Sequence, residues 1–232
     1  MENRDNFLAD IARQLGRKVR HIPDPLPTPA NNYASTRLTE LTLQQRCDAF
    51  TDVAANVMLA HCEIVSEADA AQAAYRLCDK YGHAPVIVSD DRRLVELGIT
   101  ECLQRECQAT VWDPRLGEEN IRLAEQAKVG VVYAEHGLTE SGGVVLFSAP
   151  ERGRSVSLLP ESSIFVIRKS TLLPRVAQLA QRLHQMAQNG ERMPSCINII
   201  GGPSSTADIE LIKVVGVHGP IHAAYLIIED CE

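Results

Sequence analysis

From about residue 60 onward the chain alternates short, uninterrupted apolar runs with amphipathic stretches, and this alternation limits the fold more than any other feature. Glu63-Ile64-Val65, residues 85–89 and Thr110-Val111-Trp112 read as strands. Residues 66–81, 92–97 and 118–128 read as the helices that follow them; Ser66 and Asp69 supply a capping pattern and Gly82 a stop. Strands apolar on both faces must be covered on both faces, and strand–helix units set successive strands parallel. The expected fold is α/β, with a mixed, largely parallel central sheet flanked by helices.

The middle of the chain changes character. Residues 129–134, 144–147, 156–159 and 164–167 are four strand candidates separated by connections too short for helices, which predicts antiparallel pairing among them. Residues 172–188 read as a helix with Pro174 in its first turn, and residues 196–200 and 223–228 as the last strands. Before the alternation, residues 42–60 form an amphipathic helix. Earlier still, residues 6–15 form a short one ended by Gly16. Pro23, Pro25, Pro27 and Pro29 then exclude helix and central strand, so residues 1–32 are expected to be a tethered helix and linker ahead of an α/β domain over 33–232. Its own core, a second copy in a homo-oligomer and a partner chain are all open as docking places.

Composition removes several function classes. A formal charge of −7 without a Lys/Arg run argues against nucleic acid and against a polybasic membrane anchor. No apolar run approaches the roughly 18–20 residues that span a bilayer, and the start of the chain lacks a signal-peptide pattern, so a cytoplasmic protein is expected. The seven cysteines form no C-x-x-C pair, so neither metal nor cluster is expected. Cys47, Cys62, Cys78 and Cys196 fall at apolar positions and read as core residues.

The densest chemical signal lies at residues 200–220. After the Cys196 strand, Gly201, Gly202 and Pro203 break the chain. Ser204, Ser205 and Thr206 then lead into a short amphipathic run bearing Asp208 and Glu210, and His218 follows between Val217 and Gly219. A strand, a Gly/Ser/Thr loop and a helix start present free amides and hydroxyls to one point, which suits a carboxylate or phosphate. For the Ser/Thr run alone plain helix capping is the simpler reading, and it is the density of Gly201, Gly202, Pro203, Gly216, Gly219 and Pro220 that speaks for a site. His218 is either an acid–base group or a hydrogen-bonded structural residue. Glu140-Ser141-Gly142-Gly143 places a carboxylate beside a glycine turn, with Glu135 and His136 just upstream. That is either a general base near an anion site or a hairpin turn with solvated acids. Glu161, Arg152 and Arg154 are further candidates for charge near a strand end.

Taken together, Glu140-Ser141-Gly142-Gly143-Val144-Val145-Leu146, Leu158-Leu159-Pro160-Glu161, the run from Gly202 to Glu210 and Gly216-Val217-His218-Gly219-Pro220 resemble the LUD domain of the lactate utilization protein C family. The likeness runs from about Ala60 to the end, and the amino-terminal helix and linker resemble those of enterobacterial members. It implies a fold similar to the sugar-phosphate isomerase and CoA-transferase group, with glycine-rich turns holding acidic ligands. It also implies a role in oxidising L-lactate to pyruvate beside two iron–sulfur partner proteins. Two departures stand out: Ser205 occupies the place of a basic residue, and Ser141-Gly142-Gly143 stands where T-G-T is common.

Three functions follow as expectations. The first is an accessory or regulatory subunit of an iron–sulfur lactate-oxidising system, with a small anionic-ligand site and no cofactor of its own. The second is a free-standing isomerase or CoA/acyl-transferase-like enzyme, with Glu140 or Glu210 as base or nucleophile and His218 assisting. The third is a sensor using the same cradle. Gly142, Gly143, Gly202, Ser204, Ser205, Thr206 and Asp208 are the expected ligand contacts in each.

Overall fold

A computed structural model describes residues 2–22, 24–206, 212 and 214–231. The chain divides into two compact units, Met1–Asn32 and Tyr33–Glu232. In the first, helix α1 spans Glu2–Gln14, starting four residues earlier than expected, and Gly16 follows it at a φ of 62°. Residues 24–32 adopt neither helix nor strand, as alternate prolines require.

The second unit begins with the short helix α2 (Tyr33–Thr36) and then α3 (Leu43–Asn56), capped by a reciprocal Thr42–Gln45 box. There follow β1 (His61–Ser66), α4 (Ala70–Lys80), β2 (Val86–Val88), α5 (Arg92–Glu96), α6 (Ile99–Cys107), β3 (Thr110–Val111), α7 (Glu118–Gln126) and β4 (Val129–Tyr133). After these come β5 (His136–Leu138), β6 (Gly143–Phe147), α8 (Ser155–Leu158), β7 (Ser162–Arg168), β8 (Leu172–Leu173) and α9 (Val176–Gln188). The described chain closes with β9 (Ile197–Ile200), β10 (Ser205–Thr206), β11 (Val214–Val215) and β12 (His222–Glu229).

Six strands form one parallel sheet in the order β1-β12-β7-β4-β2-β3. Side chains alternate between its faces, and each face has its own core. Val86, Val88, Ile164, Val166, Leu226 and Ile228 pack with Leu77 of α4 and Leu103 of α6. Ile87, Phe165, Tyr225 and Ile227 pack with Phe50 of α3, Ala124 of α7 and Val156 of α8. This two-sided burial is why the strands read as continuous apolar runs.

A second sheet, β8-β5-β6-β9, covers part of the latter face. Along β6, Val144 and Leu146 join the core against the large sheet, whereas Val145 packs with Leu179 of α9. Both faces of the small sheet are thus buried at β6, whereas Ile199 of β9 is exposed.

Four expectations need correction. Residues 129–133 and 162–168 are parallel neighbours, and of the four middle candidates residues 144–147 pair antiparallel, with β5, which was not a candidate, and with β9. The 28 residues between β4 and β7 hold the β5–β6 hairpin and α8, which is room enough for a crossover. Residues 155–158 are a helical turn, not a strand; a run this short carries too little periodicity to tell the two apart. Pro174 precedes α9, because Leu172 and Leu173 pair with Gly137 and Leu138. Lastly, Ser205 and Thr206 pair antiparallel with Val215 and Val214, so they form a strand and not a helix cap.

Candidate functional site

The glycine-rich segment forms one wall of a cleft of about 430 Å³ at the amino ends of β7 and β12. Gly202, Ser204, Ser205, His218 and Gly219 line it, with Phe165 of the sheet behind them. Gly202 has a φ of 69°, and a Cβ there would lie 2.0 Å from the Met58 carbonyl oxygen, so only glycine lets the loop pass this close to the end of α3. Its amide donates to the Tyr225 hydroxyl at 2.8 Å, and that hydroxyl donates to the Ile200 carbonyl at 3.2 Å. Burial pushes the Tyr225 phenol up and keeps it a donor. The Ser204 amide donates to the Pro220 carbonyl at 2.9 Å and the Gly216 amide to the Ser204 carbonyl at 2.9 Å. These bonds hold the two arms of the loop together. Ser204, Ser205 and His218 remain on the cleft wall, and neither serine hydroxyl has a hydrogen-bond partner among the described residues.

The Glu140 turn is a sheet neighbour of this loop, since Val144 pairs with Ile200, but its polar groups point elsewhere. Glu140 accepts from Arg175 Nε at 2.6 Å and lies 3.4 Å from Arg37 Nε; its amide donates to the Pro174 carbonyl. Gly142, at a φ of 63°, sits where a Cβ would come within 2.7 Å of the Ala54 amide nitrogen on α3. Gly142 N donates to Leu138 O, and Gly143 N to Ser141 Oγ. Glu140, Gly142, Gly143 and Thr206 do not line the cleft, and Asp208 and Glu210 lie outside the described residues.

The opposite edge of the large sheet carries a charged cluster that the motifs did not indicate. From β2 the chain moves to β3 on one side, whereas β4 lies on the other side of β2, so the topology reverses between β2 and β4. Such a reversal opens a crevice beyond the carboxyl ends of the strands. Here Asp91 caps α5 through the Arg93 amide, and Arg93 bonds both Asp91 oxygens. Arg93 also donates to Glu135 through two nitrogens, at 2.7 and 2.8 Å, and stacks over Tyr133 with its centre 4.0 Å from the ring centroid. Arg152 donates to Glu135 from the other side. Burial opposes charge on Asp91 and Glu135. The hydrogen bonds and charge of Arg93 outweigh it and hold both carboxyls below their ordinary ranges. Burial pushes the neighbouring His136 imidazole down, and its Nδ1 lies 3.2 Å from the Thr171 carbonyl.

Glu135, His136, Arg152 and Arg154 had been noted along the sequence; Ser89, Asp91 and Arg93 had not. The one local sign of them is the polar break Ser89-Asp90-Asp91 after an apolar strand. Among the described residues no group of His, Cys, Asp and Glu is placed to hold a metal ion, and no helix is long and apolar enough to cross a membrane. The seven cysteines are free thiols; Cys47 and Cys78 are in the core, whereas Cys62 and Cys196 are half-buried.

The family comparison decides the lineage: the LUD domain matches residues 48–228, from within α3 to within β12. The chain belongs to the LUD domain family. The matched residues include both the cleft and the crevice. The Escherichia coli K12 relative named uncharacterized protein YkgG is 69% identical over 231 residues, covering 100% of each chain. Proteins named lactate utilization protein C are 42% identical in Halalkalibacterium halodurans, over 99% of each chain, and 38% identical in Bacillus subtilis, over 99% of this chain and 98% of that one. A crystal structure of a DUF162 family protein from Deinococcus radiodurans aligns with a TM-score of 0.56 at 16% identity, over 81% of this chain and 99% of that one. The likeness of the two structures concerns the fold alone.

Proposed function

We propose that this LUD domain protein is a component of an L-lactate utilization system, acting as an accessory or regulatory subunit beside iron–sulfur proteins that take up the electrons of lactate oxidation. One observation carries the reading: 42% identity to a lactate utilization protein C across 99% of both chains. We assign a small acidic ligand to the cleft at the amino ends of β7 and β12. The hydroxyls of Ser204 and Ser205 and the His218 imidazole contact it, and Gly202 fixes the loop. Glu140, Gly142 and Gly143 act in packing and ion pairing. A free-standing enzyme with Glu140 as base is disfavoured, because Arg175 and Arg37 hold that carboxylate in ion pairs and it does not face the cleft.

Deleting the gene in its host tests the function. Growth on L-lactate should fail while growth on pyruvate persists, and the restored gene should recover it. The tagged protein should also co-purify with iron and acid-labile sulfide from lactate-grown cells. Unimpaired growth of the deletion strain on L-lactate would overturn the assignment.

A further inference from the structure

The crevice between β2 and β4 contains groups that the ion pairs leave over. Ser89 is 2% exposed, and its Oγ has no hydrogen-bond partner among the described residues; the buried Ser148 Oγ has none there either. Both line a small cavity of about 20 Å³ together with Arg152 and Arg154. A buried hydroxyl without a partner is costly, and two of them facing one space are a place made for an oxygen atom. Arg93 uses Nε, Nη1 and Nη2 on Asp91 and Glu135, so its donors are taken. Arg152 gives only Nη1 to Glu135 and keeps Nε and Nη2 without partners among the described residues.

The cavity opens beside a groove of about 510 Å³, and Phe147 and Arg152 line both spaces. Around these spaces the guanidiniums of Arg93, Arg152, Arg154 and Arg182 outnumber the carboxylates of Asp91, Glu135 and Glu191, so the space favours an anion. Its position at the carboxyl ends of the strands, where the topology reverses, is where open parallel sheets take ligands.

We propose that this crevice is a second ligand site, separate from the cleft, that binds the carboxylate of a small organic acid. The acid group enters the cavity, accepts hydrogen bonds from Ser89, Ser148 and the free edge of Arg152, and leaves the rest of the ligand in the groove beside Arg182. The cavity has room for about one oxygen atom, so one oxygen of a planar carboxylate enters it and the other stays at the free edge of Arg152, whereas a tetrahedral phosphate brings two further oxygens that must fit at the narrow mouth.

Calorimetric titration of the full-length protein with L-lactate, pyruvate and inorganic phosphate tests this. One or both carboxylates should bind more tightly than phosphate. Ser89→Ala, which removes a single hydroxyl, and Arg152→Gln should each weaken binding by about tenfold or more, as the loss of a charge-assisted hydrogen bond implies. Should Arg152→Gln disturb the Glu135 pair and the fold, Ser89→Ala and Ser148→Ala still decide the matter. Binding of phosphate alone, no heat with any of the three probes, or Ser89→Ala and Ser148→Ala proteins that bind as the parent does would each overturn the proposal.

Discussion

The two edges of the large sheet solve different problems. At the amino edge, glycines and serines crowd into a short stretch of sequence, but much of their polarity is turned inward. The Gly202 amide meets Tyr225, the Ser204 amide meets Pro220, and the Gly202 backbone fits under the end of α3. At the carboxyl edge, residues scattered from Ser89 to Arg152 come together in a charged crevice that leaves two buried hydroxyls and part of a guanidinium without partners among the described residues. Local density of ligand-friendly residues thus marks packing as readily as binding. Free donors, which only the assembled sheet reveals, point to the ligand more directly.

The contrast can be broken or sharpened by substitution. The largest effect should come from Gly202→Ala, which combines a left-handed backbone with a Cβ 2.0 Å from the Met58 carbonyl oxygen. A loss of about 2–4 kcal/mol in urea unfolding is expected, from backbone strain plus overpacking. A neutral result would mean the loop is not pinned on α3, and its amides would again be candidates for a ligand.

Next in size is Glu135→Gln, expected to cost about 2–4 kcal/mol because Arg93 and Arg152 lose their shared partially buried counter-charge. Glu140→Gln should cost less, about 1 kcal/mol or under, since Glu140 is itself more exposed than Glu135, and Arg37, one of its two partners, is mostly in solvent. The same change should leave growth on L-lactate intact. Equal effects at Glu135 and Glu140 would erase the distinction between the charged crevice and the hairpin turn.

Acidity gives a smaller and graded signal. The folded-state pKa of His136 is lowered, so the unfolded chain takes up its proton first. Its contribution is complete above the ordinary range near 6.5 and declines as pH falls below it. Asp91 and Glu135 also have lowered folded values; their contribution holds above the ordinary carboxylate range of 3.8–4.5 and is lost as pH falls through the folded values. Urea midpoints measured from neutral pH downward should therefore fall in two stages. His136→Asn should remove its share of the first stage.

Much of the fold was readable in the chain because its cause is local or repetitive. Strands β2, β7 and β12 are covered on both faces and so are apolar throughout; α3 and α4 carry their buried residues at helical spacing. The parallel pairing of β4 with β7 was not readable, because a hairpin and a short helix inside their connection look like separate strands. Residues 200–220 stood out for composition, yet the pairing of Ser205 with Val215 and the clasp on Tyr225 depend on segments distant along the chain. The crevice was the hardest to see. Arg93 and Glu135 are 42 residues apart, Glu135 and Arg152 are 17 apart, and the order of the strands alone brings them together.

The most direct measurement is an amide chemical-shift titration of the labelled full-length protein with L-lactate. The largest saturable changes are expected at Ser89, Glu135, Ser148 and Arg152, with smaller ones along Ser204, Ser205 and His218. Changes confined to the amino-edge loop would contradict the crevice as a carboxylate site, and no change at any residue would contradict both sites.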